Sequence, residues 1–269
     1  MQSNMKKKVS IVFVVLVYRN TSDLIDFFKC NKTPNSKTIV VNSKYDEKSD
    51  KEFQSIAESN NADYITVPNK GYGAGNNAGC KFAVENYDFD YIVISNADIE
   101  IIKFDVTELK KYGDTIIAPC ITNKTGKKQN PCAPYKHTKL YAWTKYACFK
   151  GNHNKFIYVL YAISRFKKIF FHYITSLWCK EIFAAHGAFL VMPKIVLSKL
   201  YPLYDESMFL FNEEAHLAQK AQREGVKTYY APDIIISHKE DGSMNISSIN
   251  IFEKEKQSFE VYYKNWFKN

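Results

Sequence analysis

Tyr64-Ile65-Thr66-Val67-Pro68-Asn69-Lys70-Gly71-Tyr72-Gly73-Ala74-Gly75-Asn76-Asn77-Ala78-Gly79, with the apolar run Tyr91-Ile92-Val93-Ile94-Ser95 that stops at Asn96-Ala97-Asp98, decides how this chain folds. The order is a short strand, a glycine-rich loop, a helix to about Tyr87 and a second strand. Upstream, Val9–Val17 is a β-branched run suited to a strand covered on both faces. Thr21 or Ser22 can cap a short helix through Cys30, and Thr38–Val41 reads as another strand. Ser49 with Glu52 three residues on is a capping box that opens a helix to about Ser59. Strand–helix alternation of this kind predicts an α/β fold with a mostly parallel sheet and helices on both faces. Ligands of such sheets bind at the carboxyl ends of the strands, where Asn20, the glycine loop and Asp98 fall.

Beyond about Thr122 the alternation breaks and resumes only after Lys180. Ala184–Met192 reads as a strand, Glu213–Glu224 as a helix, and Thr228–Tyr230 and Ile234–Ser237 as short strands. A final amphipathic helix is expected within 249–269, with Phe252, Phe259, Tyr262, Tyr263 and Trp266 on one stripe.

Composition narrows the class. The chain has 269 residues, 46% hydrophobic and 15% aromatic, too much buriable surface for a disordered chain. No apolar run approaches the roughly 18–20 residues of a membrane span. Lys6-Lys7-Lys8 before Val9–Val17 mimics a signal peptide, but Tyr18-Arg19-Asn20 follows instead of a small-residue cleavage site, so a buried first strand is expected. The six cysteines form no Cys-x-x-Cys pair, which points to reduced, buried thiols rather than zinc. The net charge of +9 is concentrated: 115–180 carries twelve Lys/Arg, no Asp or Glu, and thirteen aromatics, leaving 25 bases against 28 acids elsewhere. An anionic partner is expected to meet this segment.

Within it, Ile163, Phe166, Phe170, Tyr173, Ile174 and Leu177 recur at helical spacing, with Arg165, Lys168 and His172 opposite and Lys167 near the boundary. Short, interrupted and basic, this is the pattern of an interfacial helix over 155–180 on an anionic membrane surface. An ordinary surface helix is the alternative.

Four places can carry chemistry. Gly73-Ala74-Gly75-Asn76-Asn77-Ala78 matches the dinucleotide fingerprint G-x-G-x-x-A, though after the third strand rather than the first. Small residues there let backbone amides approach an anionic ligand, and a turn with close helix packing is the other reading. Asp98 ends a strand and is either a hard oxygen ligand for Mg2+ or Mn2+ holding a diphosphate, with Glu100 two residues on, or a solvated strand-end carboxylate. Glu213-Glu214 follows an aromatic run and suits either a desolvated general base or a complement to a helix dipole. His216 is a helical neighbour of Glu213 without a third metal partner. His238 ends the last apolar run and is either structural or completes the metal site begun by Asp98.

Taken in order, these motifs resemble the bacterial family-2 glycosyltransferases of the GT-A fold, the rhamnosyltransferase-like branch of capsule and O-antigen synthesis above all. The resemblance runs from Val9 to about Gly242. It rests on Tyr18-Arg19-Asn20 after the first strand, on Asn69-Lys70-Gly71-Tyr72-Gly73-Ala74-Gly75-Asn76-Asn77-Ala78-Gly79, and on Asn96-Ala97-Asp98 in the place of an Asp-x-Asp metal motif. Gly187-Ala188 before an apolar strand, the run Tyr204-Asp205-Glu206-Ser207-Met208-Phe209-Leu210-Phe211-Asn212-Glu213-Glu214, and the closing His238 complete it. The chain departs from the pattern where an Asp after the second strand becomes Asn42 or moves to Asp46, where the first metal acid becomes Asn96, where the base aspartate becomes Glu214, and where the Asp two residues after it becomes His216.

The resemblance implies one GT-A domain over 1–248, with a nucleotide-sugar half (9–100), a basic aromatic helical insertion (115–180) and an acceptor half (184–248). It implies an inverting glycosyltransferase, hexosyl or deoxyhexosyl, with Glu214 as base and Glu213 beside it. Asn20, Asn42, Asn69, Gly71, Gly73, Gly75, Asn76, Asn77 and Asn96 would bind the nucleotide sugar, and Asp98 and His238 a divalent cation. The acceptor would be a lipid-linked saccharide, the place the cytoplasmic face of the membrane, with no nucleic-acid partner. A nucleotide-dependent dehydrogenase and a non-catalytic nucleic-acid-binding module are the alternatives; the first lacks the early placement of the fingerprint and a downstream ribose acid, and the second leaves the acidic pair, the glycine loop and Asn96-Ala97-Asp98 unexplained.

Overall fold

The computed structural model describes residues 6–133, 135–152, 154–175, 180–240 and 250–268, with side chains omitted for 167–175. Its first part alternates as the sequence predicts: β1 (Lys7–Val17), α1 (Thr21–Cys30), β2 (Ser36–Lys44), α2 (Glu47–Ser59), β3 (Asp63–Pro68), α3 (Tyr72–Asn86) and β4 (Tyr87–Asn96). Then come β5 (Ile99–Lys103), β6 (Ile116–Asn123), α4 (Lys139–Phe149), α5 (Lys155–Thr175), β7 (Glu181–Ile182), β8 (Phe189–Pro193), α6 (Lys194–Leu200), α7 (Glu213–Arg223), β9 (Thr228–His238) and α8 (Ile251–Trp266). Eight strands run in the order β3-β2-β1-β4-β8-β6-β9-β5, with β7 paired to β9.

β1, β2, β3 and β4 pair in parallel. β8 enters antiparallel between β4 and β6, and β6 and β9 run parallel. Alternation along β1 divides the core. Val12 and Val14 pack with α3, α6 and α7 on one face, while Ile11, Phe13 and Val15 pack with α1 and α2 on the other. The α/β sheet covered on both faces is therefore as expected.

Several local expectations are corrected. Asn20, not Thr21 or Ser22, caps α1 by accepting from the Ser22 amide, and Asp46, not Ser49, caps α2 by accepting from the Ser49 amide. In both places an Asx side chain one to three residues upstream supplies the better acceptor. The glycine loop is no loop beyond Gly71: Gly73, Gly75 and Gly79 lie inside α3. A Cβ at Gly75 would meet Leu16, and one at Gly79 would meet Val14 and Val41, so these glycines bring α3 close onto β1 and β2. Ala184–Ala188 is not strand, because its amides turn elsewhere: His186 N–H donates to Asn130 Oδ1 at 2.7 Å and Ala188 N–H to His186 Nδ1 at 3.1 Å. The two short strands near the end are one strand, β9, whose register against β6 slips between Pro119 and Cys120.

The segment 115–180 is not wholly an insertion, since β6 is an internal strand of the sheet. Part of the anion that answers its charge is the chain's own α8: Lys145 pairs with Glu255 and Lys150 with Glu260, each at 2.8 Å. Phe259 and Tyr262 of α8 are fully buried in the same cluster as Ala142, Met208 and Ala215. On α5, Ile157 and Ser164 are buried whereas Phe156, Val159, Ile163 and Phe166 form an exposed apolar stripe, with Lys155 and Arg165 also exposed. The rest of the expected interfacial pattern (Lys167, Lys168, Phe170, His172, Tyr173, Ile174 and Leu177) lies outside the described side chains. Among the described residues no helix is long and apolar enough to cross a membrane. Cys80 and Cys120 are buried as expected, while Cys132 is exposed.

Candidate active site

A cleft of about 590 Å³ opens at the carboxyl ends of β1 and β4. Asn20, Asn69, Gly71, Asn96, Asp98, Glu213, Glu214 and His238 line it, together with Asp23, Tyr72, Gln129, His186, Phe209 and Glu240. Eight of the sequence-derived candidates thus meet in one cavity, from segments far apart in the chain.

The remaining candidates lie off the cleft. Asn42 is fully buried, and its amide donates to Asp50 Oδ1 at 2.8 Å and to the Tyr64 hydroxyl at 2.9 Å. Asn77 is tied to the chain 204–206, donating to Tyr204 O at 2.9 Å and accepting from the Tyr204 amide at 3.1 Å. Asn76 donates to Tyr72 O at 3.1 Å within its own helix. Gly73 abuts the Tyr204 side chain and Gly75 abuts Leu16. In this geometry these residues seat α3. Glu100 is exposed on β5, away from the cavity.

One wall is built by strand pairing. In the antiparallel β5–β9 ladder Ile99 faces His238, and Lys239 N–H donates to Asp98 O at 2.9 Å, which draws the two side chains together. His238 Nε2 lies 3.3 Å from Asp98 Oδ1, and both residues are buried. Burial would raise the Asp98 carboxyl, but His238 and the Asn96 side chain outweigh it and hold the group below its ordinary value. His238 Nδ1 contacts Gln129 Oε1 at 2.8 Å.

A carboxylate and an imidazole nitrogen facing each other across 3.3 Å are a fitting donor pair for a divalent cation. No cluster of three His, Cys, Asp or Glu is present among the described residues. The other coordination positions would then fall to a ligand and water, as in sites that hold a metal through one or two carboxylates and substrate phosphates.

The opposite wall starts from a strained turn. Phe211 and Asn212 both sit at positive φ, 73° and 66°, immediately before α7. An aromatic residue there is a genuine outlier, of the kind that collects at functional sites. The turn points Glu213 inward: it is 2% exposed, and its Oε1 has no hydrogen-bond partner among the described residues. Burial first, and the Glu214 charge second, push the Glu213 carboxyl up to about 8.

Glu214 is half-buried, and its Oε1 would lie 3.2 Å from a Cβ placed on Gly187, so a side chain there would press on the carboxylate. Burial, followed by the charges of Glu214 and Glu213, keeps the Tyr72 phenol far above its ordinary range, and its hydroxyl donates to Gly187 O at 2.7 Å. Gly71 joins the two halves of the cleft. At φ +103° its missing Cβ would stand 2.1 Å from Phe209 O, the carbonyl that also accepts from Tyr72 N–H at 2.9 Å.

Sequence reasoning missed His186 and Gln129. His186 is neutral in character, because burial depresses it and its Nδ1 accepts from Ala188 N–H. It precedes Gly187-Ala188, so the adjacent motif was the available signal. Gln129, on the turn after β6, carried none.

No protein-family model matches the chain. Among curated proteins it is 23% identical over 230 residues, 84% of its length, to the low-salt glycan biosynthesis hexosyltransferase Agl10 of Haloferax volcanii, and it spans 65% of that relative. Among solved structures it superposes on the mannosyltransferase PcManGT from Pyrobaculum calidifontis, solved with GDP-Man and Mn2+, with TM-score 0.54 and 12% identity over 95% of this chain and 70% of that one. It also matches GalNAc-T7 solved with UDP, GalNAc and Mn2+, with TM-score 0.58, 12% identity, 96% of this chain and 49% of that one. S. aureus TarS matches at TM-score 0.54 and 10% identity over 86% of this chain and 36% of that one. The fold is that of the GT-A glycosyltransferases.

Proposed function

We propose that the chain transfers a sugar from a nucleotide-sugar donor to a hydroxyl of a saccharide acceptor, with inversion at the anomeric carbon. The observation that carries this reading is the cleft itself, which brings Asp98 and His238 together with Glu213 and Glu214. The hexosyltransferase name of the Haloferax relative and the GT-A fold support it.

Asp98 and His238 would hold a divalent cation, Mg2+ or Mn2+, which when bound supplies positive charge to the leaving diphosphate. That two structural neighbours were solved with Mn2+ agrees with this. Glu214 accepts the proton of the acceptor hydroxyl as its oxygen attacks the anomeric carbon. Glu213, its carboxyl pushed up by burial and by the Glu214 charge, lets the wall carry less negative charge than two ionised carboxylates would. Asn20, Asn69 and Asn96 offer amides to the donor along the cleft, and holding both substrates there supplies the orientation term.

The reading extends to a hexose or deoxyhexose as the sugar and to a lipid-linked acceptor in the synthesis of a cell-surface polysaccharide, as in the rhamnosyltransferase-like branch. The exposed stripe Phe156, Val159, Ile163 and Phe166, flanked by Lys155 and Arg165, supports docking at the inner face of a membrane.

Nucleoside-diphosphate release, screened over UDP-, dTDP- and GDP-sugars with and without EDTA, tests the transfer. Turnover of one donor that EDTA abolishes is expected, and inertness toward all donors, with a saccharide acceptor mixture present, overturns it. Sedimentation with anionic liposomes tests the surface. Binding should drop about 10-fold or more in Lys155→Glu/Arg165→Glu, and equal behaviour with neutral and anionic liposomes returns α5 to an ordinary surface helix.

A further inference from the structure

Glu240 stands at positive φ (56°) just after β9, and both of its carboxylate oxygens are engaged. Oε1 accepts from Gln129 Nε2 at 2.5 Å and Oε2 from Asn123 Nδ2 at 2.8 Å. Asn123 is itself fixed, because its Oδ1 accepts from the Thr125 amide at 3.1 Å and the Lys127 amide at 2.9 Å. A carboxylate can only accept, so it dictates which end of the Gln129 amide faces it. The NH2 must point to Glu240, which leaves Oε1 facing His238 Nδ1 at 2.8 Å. A carbonyl oxygen in turn accepts only, so Nδ1 must carry the ring proton. That leaves His238 Nε2, on the far side of the ring, as the nitrogen that faces Asp98 Oδ1 at 3.3 Å, the side on which a cation would bind.

We infer that Gln129 and Glu240 are positioning residues that lock His238 with its proton on Nδ1, so that Nε2 is presented with Asp98 as a metal-binding pair. The lock comes from the turn after β6, inside the basic segment, and from the residue after β9; neither residue need touch the cation. Outer partners of this kind set the tautomer and orientation of metal-binding imidazoles. His186, whose ring centre lies 5.7 Å from that of His238, is held in the opposite tautomer, since its Nδ1 accepts from Ala188 N–H. Two neighbouring rings thus present opposite chemistry, and the second serves as an internal reference for the first.

This inference rests on the metal assignment made above, and its test separates the two. Nitrogen NMR of the full chain with labelled histidine at pH 8.5, without metal, reads the ring protons. Expected is a protonated Nδ1 for His238 and an unprotonated Nδ1 for His186; a His238 ring with Nδ1 bare overturns the lock. Mn2+ titration, followed by electron paramagnetic resonance and by broadening of the His238 resonances, then reads the site. In Gln129→Leu, with the melting temperature as folding control, His238 Nδ1 should lose its proton and Mn2+ affinity should fall about 10–100-fold. The exchange Gln129→Glu/Glu240→Gln keeps an acceptor for Nδ1–H and a donor between the two positions, and it should restore both readouts. Unchanged tautomer and Mn2+ affinity in Gln129→Leu overturn the inference. Wild-type resonances of His238 untouched by Mn2+ overturn the metal assignment, whatever the tautomer shows.

Discussion

At the Asp98 wall of the cleft, hydrogen bonds run in a chain from Glu240 through Gln129 to His238. At the Glu213 wall, by contrast, Glu213 Oε1 and Asn212 Nδ2 are buried without partners among the described residues, after two residues of left-handed backbone. A satisfied network holds charge in a fixed place at low reorganisation cost, which suits a group that must meet a diphosphate. An under-satisfied carboxyl in an apolar wall is poised to gain or lose a proton, which suits chemistry at a hydroxyl. On the proposed reading, one cavity would divide charge-holding from proton-handling between two places, the β4–β5 turn with β9 and the start of α7.

The strongest way to break this division is at the base. Glu214→Gln should lower kcat by about 10²–10⁴ with donor affinity near wild type. If Glu213→Gln shows that pattern instead, the two glutamates exchange roles; if neither does, the wall is only a helix start. Next comes Asp98→Asn, which keeps the shape and removes the charge. Its loss, on the order of 10²–10³, should include weaker donor binding in Mn2+, and full activity of this variant in EDTA would sink the metal wall.

The glycines sharpen the comparison at smaller cost. Gly71→Ala places a Cβ against backbone at positive φ, so about 1–3 kcal/mol of stability should be lost in urea unfolding. Because Phe209 leads into the strained turn, kcat should fall more than donor affinity. Gly75→Ala meets side-chain ends, Leu16 at 2.4 Å and Ser43 Oγ at 3.3 Å, rather than backbone, and gains helix propensity of up to about 1 kcal/mol, so its net change should be smaller. A large loss of donor affinity there would reinstate the glycines as ligand contacts.

A pH slope completes the comparison. Glu213 is raised in the folded state, so its contribution is complete below the unfolded value of 4.5 and is lost as pH climbs through about 8. Between those limits Glu213→Gln should gain on wild type as pH rises, by at most about 1.4 kcal/mol per pH unit. Melting curves from pH 5 to 8.5 check this, and a difference independent of pH would show that the carboxyl is ionised throughout.

Legibility followed the same split. β1 to β4 were readable because β-branched runs buried on two faces leave a strong pattern. α3 was misread because glycine opposes a helix by about 1 kcal/mol per residue, and the reason for tolerating it, the closeness of Leu16, Val14 and Val41, is tertiary. β6 was missed because its residues gain strand pairing only from β8 and β9, far along the chain. β9 read as two strands because Pro232 interrupts it, and the slipped register absorbs the interruption. Asp98, His238, Glu213 and Glu214 stood out as polar groups at the ends of apolar runs. Gln129 and His186 had no such contrast, and only three-dimensional pairing gives them a part.

The placement of β8 has a consequence for the birth of the molecule. β4 is covered on one side by β1, early in the chain, but on the other by Phe189–Pro193. During synthesis its apolar edge stays open while the whole segment through Lys180 is made, a template for pairing with other chains. Until β8 arrives, Ala188 O cannot receive the Asn96 amide, a bond of 2.9 Å in the finished fold beside Asp98. A nascent chain released before Phe189 would therefore carry only the four-stranded sheet β3-β2-β1-β4, an open edge, and part of the cleft lining.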